Sequence, residues 1–244
     1  DWLMDKEIRR RGDWSVKRPH LQPSGWAFEF NNEHYPDIDD TAMVLLGLEH
    51  CQGSDPERQR AVEARALAWL KGMQSRDGGF AAFDADNDWG VLNSIPFSDH
   101  NAMLDPECAD ITARILELLG YEGWDRKHPQ IQEALDFVKK HQEEDGSWFG
   151  RWGTNFVYGT WSALVGLNAA GIPADHPAMR KGVSWLLAHQ RDDGGWGEDA
   201  SSYKIDPAFE PGSSTASQTA WALLALMAAG ACEDPAVARG INFL

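Results

Sequence analysis

Three carboxylates lie within four consecutive positions of the chain, in the stretch YPDIDDTAMV at residues 35–44. Asp37, Asp39 and Asp40 stand directly ahead of an apolar run with helical spacing. Three interpretations are open: a helix N-terminus, where the helix dipole favours ionised acids, a metal site, or a cluster of catalytic acids. In a helix N-terminus, Asp37 would be the cap and the other two acids would lie in the first turn.

Catalysis by these acids requires the opposite protonation. Three carboxyl groups this close cannot all ionise cheaply inside an apolar cavity, so one of them should keep its proton near neutral pH. A carboxylic acid that faces an apolar pocket is a strong proton donor, because no water is present to level its acidity. Aromatic residues flank the cluster in the sequence, and their ring faces can stabilise carbocations. They are Trp26, Phe28, Phe30 and Tyr35.

Elsewhere in the chain, the spacing of the acidic residues and of His and Cys does not match that of a metal site. The segment DADND carries Asp84, Asp86 and Asp88, but Trp89 and Ile95 occupy the positions that a calcium loop fills with Gly and Glu. We therefore interpret this segment as a solvated loop. His and Cys residues lack zinc-ligand spacing, and nucleotide-binding and serine-nucleophile motifs are absent from the sequence. We expect no metal and no cofactor.

The composition is that of a globular protein with an unusual number of large rings. Hydrophobic residues make up 43% and charged residues 25% of the 244 residues, and the 12 Trp are either core filler or the lining of a cavity. The net charge of −16 argues against nucleic-acid binding, which needs clustered Lys and Arg. The three cysteines are far apart, which suits free thiols in a reducing compartment. No apolar run of transmembrane length occurs.

One sequence pattern recurs: an aromatic and an aliphatic residue, then Gln, then DG, then an aromatic residue. It occupies residues 66–80, 134–148 and 182–196, pairing Gln74 with Phe80, Gln142 with Trp148 and Gln190 with Trp196. The chain also begins with the close of an earlier copy and ends with the opening of another. We therefore predict one partial domain over residues 1–244, cut from a longer protein, with repeats ending near 26, 80, 148 and 196 and a truncated one at 239–244.

Apolar periodicity predicts two families of helices between these signals. The helices at 57–74, 130–142 and 178–190 follow Pro and end at a DG pair, and their charged faces place them outside. The helices at 39–50, 109–120, 157–170 and 214–230 are rich in small residues and should be inner. Each contains a Thr-Ala or Ser-Ala step, which we assign to Thr41, Thr112, Ser162 and Thr219. The expected fold is all-α, an αα toroid or (α/α)6-type barrel incomplete at both ends. Two long connections, 81–107 and 197–213, should be functional or disordered, and the aromatic content of the first favours an ordered loop at a cavity mouth.

The stretches GWAFEFNNEHYPDIDDTAMV and DGSWFGRWGTNFVYGTWSAL, together with the Gln…DG-x-Trp repeats, resemble squalene–hopene cyclases over essentially the whole chain. The resemblance implies an acid-initiated, metal-independent cyclisation of squalene to hopene or hopanol in one barrel of a two-barrel enzyme. It implies that Asp39 protonates the terminal double bond while Asp37 and Asp40 hold its proton and geometry. It further implies that the repeats tie the outer helices together.

The resemblance also assigns roles outside the acid cluster. Asp110 and Tyr158 match polar partners of the acids, and Arg114 stands where some relatives have a His, so the source of the proton that restores Asp39 is open. Phe97 lies in the stretch that resembles a constriction of the substrate channel. The rings expected to shape substrate and stabilise cations are Phe28, Trp26, Phe83 and Trp152.

The acid motif and the fold also occur in other enzyme classes, and the resemblance implies particular binding partners. A class II diterpene cyclase shares the acid motif, while prenyltransferase β-subunits and αα-toroid glycosidases share the fold but need a zinc site or two separated carboxylates. The partner expected is squalene or a similar linear isoprenoid, and no nucleic acid. Family resemblance implies a homodimeric parent bound peripherally at the cytoplasmic face of the cell membrane, with this segment itself soluble and inactive alone.

Overall fold

The computed structural model describes residues 1–29, 31–87, 104–203 and 208–244. They fall into two compact units, Asp1–Glu107 and Cys108–Leu244. Within the described residues the secondary structure is helical, and extended pairing is limited to isolated bridges. In the same residues no helix is both long and apolar enough to cross a membrane. The helices are α1 (Trp2–Asp5), α2 (Trp14–Lys17), α3 (Ile38–Glu49), α4 (Pro56–Gly72), α5 (Ala109–Tyr121), α6 (Pro129–Lys140), α7 (Phe156–Ala169), α8 (Pro177–Ala188), a 3-10 helix (Ala200–Ser202), α9 (Ala216–Ala228) and α10 (Pro235–Phe243).

The outer family is confirmed as α4, α6 and α8, and α10 adds a fourth member. Each begins with a proline in its first turn, where the missing N–H has no helical partner to lose. The residue before that proline is the N-cap, and Asp55 and Asp234 accept backbone N–H groups there. The DG pair then turns the chain after the helix, since Gly78, Gly146 and Gly194 all have positive φ.

The inner family is confirmed as α3, α5, α7 and α9. In the second unit α7 packs between α5 and α9, and α6, α8 and α10 pack against α5, α7 and α9 respectively. In the first unit α3 packs against α4. The α5–α7 pair is close because Gly166 faces the Ala113 carbonyl, where a Cβ atom would lie 2.2 Å from the oxygen. Each unit is thus built from inner–outer hairpins, as the repeats predict.

The repeat motif joins an outer helix to the inner helix that follows. The indole N–H of Trp148 donates to the Val138 carbonyl of α6 at 2.7 Å. The backbone N–H of Trp148 donates to the Thr160 hydroxyl of α7 at 3.0 Å. Trp196 makes the same two bonds, to Leu186 of α8 at 2.8 Å and to Thr219 of α9 at 3.0 Å. The tryptophan therefore bonds to both helices of the hairpin.

The glutamine of the motif joins consecutive outer helices. The side-chain amide of Gln142 donates to the Gly146 carbonyl of its own turn and to Ala178 of α8, both at 2.9 Å. Gln190 repeats this with Gly194 and with Ala236 of α10, both at 2.8 Å. The expectation that the repeats tie outer helices together is confirmed for these two copies.

One register assignment within the inner helices is wrong. Ser162-Ala163 was expected to match the Thr-Ala steps, but Thr160 receives the tryptophan amide, two positions earlier. The Ser162 hydroxyl instead donates to the Asp110 carbonyl of α5 at 2.7 Å. The pattern misleads because Trp161 follows the threonine where the other helices have alanine.

Removal of the Thr160 hydroxyl tests this junction. Thr160→Val keeps the side-chain shape but leaves the buried N–H of Trp148 without its acceptor, so we expect a loss of about 1–3 kcal/mol in the free energy of unfolding. Chemical denaturation followed by tryptophan fluorescence measures the change. Thr154→Val, at a half-buried loop position, is the control and should change stability by less than about 0.5 kcal/mol. Equal stability of the two variants would show that this bond does not join the helices.

Candidate active site

The acid cluster begins α3, and Asp37 is the helix N-cap as the capping interpretation predicts. Its carboxylate accepts the backbone N–H of Asp40 at 3.0 Å, and its own N–H donates to the Trp26 carbonyl at 2.8 Å. The next N–H, of Ile38, donates to the Ala82 carbonyl at 2.7 Å. These bonds hold the cluster between Trp26, where the earliest copy of the repeat ends, and Ala82, which follows the copy at residues 66–80. Asp37 is only 7% exposed, while Asp39 and Asp40 are half-buried in the first turn.

Burial sets the protonation of this cluster. Burial raises the pKa of Asp37 to about 7, which the hydrogen bond from the Asp40 N–H opposes and the negative charges of Asp40 and Asp39 reinforce. Burial also raises the pKa of Asp40. The sequence predicts that a carboxyl group of this cluster keeps its proton near neutral pH, and the raised pKa gives Asp37 this property. Asp37 is therefore both the helix cap and an acid with a raised pKa.

The rings of the first unit occupy different environments. Trp26 is buried, and its indole donates to the Leu3 carbonyl at 2.7 Å, which parallels the structural bonds of Trp148 and Trp196. Phe28 is 76% exposed and Phe83 is half-buried. The placement of Trp26 thus favours a packing role, whereas Phe28 and Phe83 present accessible ring surface. Phe97 lies outside the described residues.

A carboxylate that the sequence does not single out holds the Phe83 segment. Asp105 accepts three consecutive N–H groups, of Ala82 at 3.1 Å, Phe83 at 2.6 Å and Asp84 at 2.9 Å. Because three donors converge on one carboxylate, the backbone of residues 82–84 is fixed. Asp105 is therefore an anchor for Phe83, and its distance along the chain hid it from motif analysis.

The solvated-loop interpretation of DADND is wrong for Asp86. Its carboxylate accepts the Arg76 N–H at 2.9 Å and pairs with the Arg18 guanidinium at 3.1 Å. Burial raises the pKa of Asp86, but these bonds and charges outweigh it, so the net shift is downward. Asp86 also has φ 55°, a strained backbone conformation for a residue with a side chain. It is a structural anchor, and Asp88 lies outside the described residues.

The second unit gathers the other polar residues of the prediction. Asp110, only 2% exposed, accepts the Trp152 N–H at 2.9 Å and so places the loop that carries this ring, which is 48% exposed. The Arg114 guanidinium donates to the Tyr158 hydroxyl at 3.4 Å. Asp110 and Arg114 of α5 thus each bond to the segment that runs from the loop of Trp152 into the first turn of α7, and these four residues are the polar group of the second unit.

Two tryptophans complete this group and were not predicted. The Arg114 guanidinium lies over the ring of Trp161, 4.9 Å from its centroid. The Tyr158 ring packs edge-on against Trp161 at 5.5 Å and Trp221 at 5.1 Å, and the two indoles stack at 5.8 Å with an interplanar angle of 13°. Alignment of the inner helices on their bonded threonines provides a signal for them, because Trp161 follows Thr160 and Trp221 is two residues after Thr219.

The same alignment places three of the predicted polar site residues at one equivalent position of their helices. Asp39, Asp110 and Tyr158 each stand two residues before the threonine of their inner helix, at Thr41, Thr112 and Thr160. Each therefore lies in the first turn of its helix, near the positive end of the helix dipole. Among the described residues no group of three or more His, Cys, Asp and Glu is arranged to hold a metal ion. The arrangement offers acids, a hydroxyl, a fixed cation and rings.

The raised pKa of Asp37 predicts a pH-dependent stability. Between about pH 4 and pH 7 the unfolded chain releases this proton while the folded chain keeps it, so the free energy of unfolding falls as pH rises, by at most about 4 kcal/mol. Asp37→Asn retains a capping oxygen and cannot ionise, so this fall should largely disappear. Chemical denaturation between about pH 4 and pH 7 measures how the free energy of unfolding changes with pH in each variant. The exposed N-cap Asp55, changed to Asn, is the control and should leave the fall in place. An unchanged slope in Asp37→Asn would refute the raised pKa.

Comparison with known proteins completes the description of the site. The family model described as squalene-hopene cyclase C-terminal domain matches residues 1–244. A probable squalene–hopene cyclase of Sinorhizobium fredii and the squalene–hopene cyclase of Zymomonas mobilis are each 50% identical to this chain over its whole length. The chain spans 38% of the length of each.

Solved structures support the fold. The type II terpene cyclase MstE from Scytonema matches 95% of this chain and 59% of its own, with a TM-score of 0.63 and 21% identity. At this identity the likeness shows the fold alone, and it confirms the αα-barrel class that the repeats predict. Because the family model matches every residue, the chain belongs to the squalene–hopene cyclase family, as a stretch of its C-terminal domain.

Proposed function

We propose that the protein containing this chain cyclises squalene to hopene and hopanol, with Asp39 as the proton donor. Family membership and the two relatives that carry the name squalene–hopene cyclase support the substrate. The observation that supports the chemistry is the cluster of three carboxyl groups at the start of α3, in which burial raises the pKa of Asp37, the neighbour of the proposed donor, to about 7. A proton held by a carboxylic acid in an apolar environment is what protonation of an alkene requires.

The reaction begins with transfer of the Asp39 proton to the terminal double bond. A new C–H bond forms at one alkene carbon, the O–H bond breaks, and the tertiary carbon beside it becomes a cation. Each remaining double bond then attacks the cation before it, closing a ring and moving the positive charge along the chain. Loss of a proton from the final cation gives hopene, and addition of water followed by loss of a proton gives hopanol. No electrons enter or leave, so the steps need no redox partner.

Asp37 and Asp40 support the donor by their own protonation. A protonated Asp37 removes one negative charge from the neighbourhood, so the cluster tolerates the carboxylate that Asp39 becomes after the transfer. The Asp40 amide is held by Asp37 at 3.0 Å, which fixes the first turn that carries Asp39. We assign these two residues to holding the proton and the geometry of Asp39.

Family resemblance makes Asp110, Arg114 and Tyr158 the polar partners of the acids, and only one of the three is suited to relay a proton to the donor. Arg114 stays charged at any physiological pH, so it cannot relay a proton, whereas the Tyr158 hydroxyl both donates and accepts. The Arg114 bond at 3.4 Å orients this hydroxyl, and Asp110 holds the adjacent loop through Trp152. We therefore propose Tyr158 as the proton-relaying partner, with Arg114 and Asp110 orienting it.

The rings stabilise the cations through their electron-rich faces. Phe28, Phe83 and Trp152 keep accessible surface, as a contact with substrate requires. Phe97 remains a prediction for the channel. For the whole protein we propose a homodimer that contacts the cytoplasmic face of the membrane peripherally, since squalene is apolar and partitions into lipid.

A class II diterpene cyclase remains the alternative substrate class, because it uses the same acid motif. The fold likeness of an ent-copalyl diphosphate synthase from Streptomyces platensis, with a TM-score of 0.56 at 24% identity, is consistent with either. Incubation of the full-length protein with squalene and, separately, with geranylgeranyl diphosphate distinguishes them. Pentacyclic products from squalene alone support the proposal, and turnover of the diphosphate alone overturns it.

Asp39→Asn in the full-length protein tests the donor. The amide cannot supply the proton, so we expect product formation to fall by at least about 100-fold with the fold retained. Gas chromatography of squalene incubations measures the products, and circular dichroism checks the fold. Asp55→Asn, at the exposed cap of α4, should leave activity unchanged. Near-normal activity in Asp39→Asn would eliminate Asp39 as donor.

The purified 244-residue chain provides a second test. It spans 38% of the length of the relatives, so we expect it to lack a closed cavity and to give no hopene. The same chromatography, with full-length protein as the positive control, decides the matter. Hopene from the short chain would show that this segment suffices for the reaction.

A further inference from the structure

The start of α7 is capped by a residue from a distant part of the chain. Its own N-cap, Asn155, makes no side-chain capping bond. Instead the carboxylate of Glu198 accepts the backbone N–H groups of Asn155 at 2.8 Å, Phe156 at 2.9 Å and Val157 at 3.1 Å. The first N–H groups of a helix have no partner within it, so this carboxylate satisfies three of them. Its negative charge also lies at the positive end of the helix dipole.

Glu198 is itself held firmly. It is only 6% exposed, and its backbone N–H donates to the Gln218 side chain of α9 at 2.9 Å, while the Gln218 amide donates back to the Glu198 carbonyl at 3.2 Å. On the far side, the Asn155 amide and the Ser202 hydroxyl hydrogen-bond at 2.9 Å. The backbone of Glu198 is thus held by α9, while its buried carboxylate accepts three N–H groups at the start of α7.

α3 and α9 are capped by residues at their own N-termini. They begin with their own capping side chains, Asp37 and Thr215, each four residues before its bonded threonine. The equivalent position in α7 is Phe156, which has no capping oxygen. The carboxylate of Glu198 therefore caps α7 in place of a local side chain.

Val157, the last of the three donors, directly precedes Tyr158. The loop before the helix is closed by a bond from the Gly150 N–H to the Asn155 carbonyl at 3.0 Å, and this loop carries Trp152. A shift of the helix start would therefore move the Tyr158 hydroxyl relative to Arg114 and would move the Trp152 ring. We propose that Glu198 is a positioning residue for Tyr158 and Trp152. The catalytic part of this proposal rests on the proposed function.

Hydrogen exchange in the full-length protein tests the cap without reference to activity. Glu198→Gln retains one acceptor oxygen but turns an NH₂ group toward backbone donors, so exchange of the amides of residues 155–157 should rise about tenfold or more. Asp199→Asn, at the exposed neighbour that caps the 3-10 helix, should leave them unchanged. Unchanged exchange in Glu198→Gln overturns the proposal.

Steady-state kinetics with squalene tests positioning. We expect Glu198→Gln to lower kcat about 10- to 100-fold with KM within about threefold, because substrate still binds while reacting groups are misplaced. Gln142→Ala breaks a tie between outer helices and is the control for general destabilisation. At a temperature where both variants are folded, it should keep its kcat. An equal loss of kcat in Gln142→Ala, or a wild-type kcat in Glu198→Gln, overturns the positioning role.

Glu198→Asp serves if Glu198→Gln does not accumulate as folded protein. It keeps the charge and withdraws it by one methylene, so the same changes should appear at smaller size, and normal exchange with normal kcat would count against the proposal. Absence of squalene turnover in the wild-type protein would refute the proposed function and with it the catalytic part of the inference. The exchange measurement would still decide whether Glu198 holds the start of α7.

Discussion

The hydrogen bond from a tryptophan backbone N–H to a threonine hydroxyl sets the rotation of three inner helices, α3, α7 and α9. It recurs from Trp26 to Thr41 at 2.9 Å and, in the second unit, from Trp148 to Thr160 and from Trp196 to Thr219, both at 3.0 Å. Because the bond is buried and short, the helix cannot turn without leaving a polar group without a partner. The position two residues before the threonine is therefore presented in the same way in these three helices. Asp39, Tyr158 and Ser217 occupy it in α3, α7 and α9, so one position of a constant scaffold carries different side chains.

Burial of carboxylates gives opposite results at different sites in this chain, and the partners decide the sign. Burial raises the pKa of both Asp37 and Asp86. For Asp37 the backbone N–H groups of Asp40 and Asp39 lower the pKa, but they do not offset burial and the negative charges of the same two residues, so the pKa rises to about 7. For Asp86 the Arg18 and Arg76 contacts prevail and the pKa falls. An acid kept protonated near neutral pH therefore requires the exclusion of cations from its surroundings as well as burial.

The helices could be predicted from sequence because their signals are local. Proline in the first turn, apolar periodicity and the DG turn all lie within or next to the helix that they define, and the observed bounds differ from the predicted ones by at most two residues. The anchors could not be predicted, because their partners are distant: Asp86 and Arg18 are 68 residues apart, and Glu198 and Asn155 are 43 apart. Spacing singled out Asp39 as one of three clustered acids, whereas its role as donor and the role of Tyr158 rest on family resemblance. Trp161 was hidden because it stands where an alanine was expected. Long-range hydrogen bonding leaves no periodic trace in a single sequence.

Arg114 determines how the aromatic cluster of the second unit can act. Its guanidinium covers one face of Trp161 at 4.9 Å, so that face already stabilises a cation and is not available to a second one. A fixed positive charge would also repel a carbocation nearby. The face of Trp161 toward Arg114 is therefore occupied, and the other indole of the pair, Trp221, stacks on Trp161 at 5.8 Å. The half-exposed ring of Trp152, whose N–H is held by Asp110, also has a cation near it, because the Arg151 guanidinium lies 5.8 Å from its centroid.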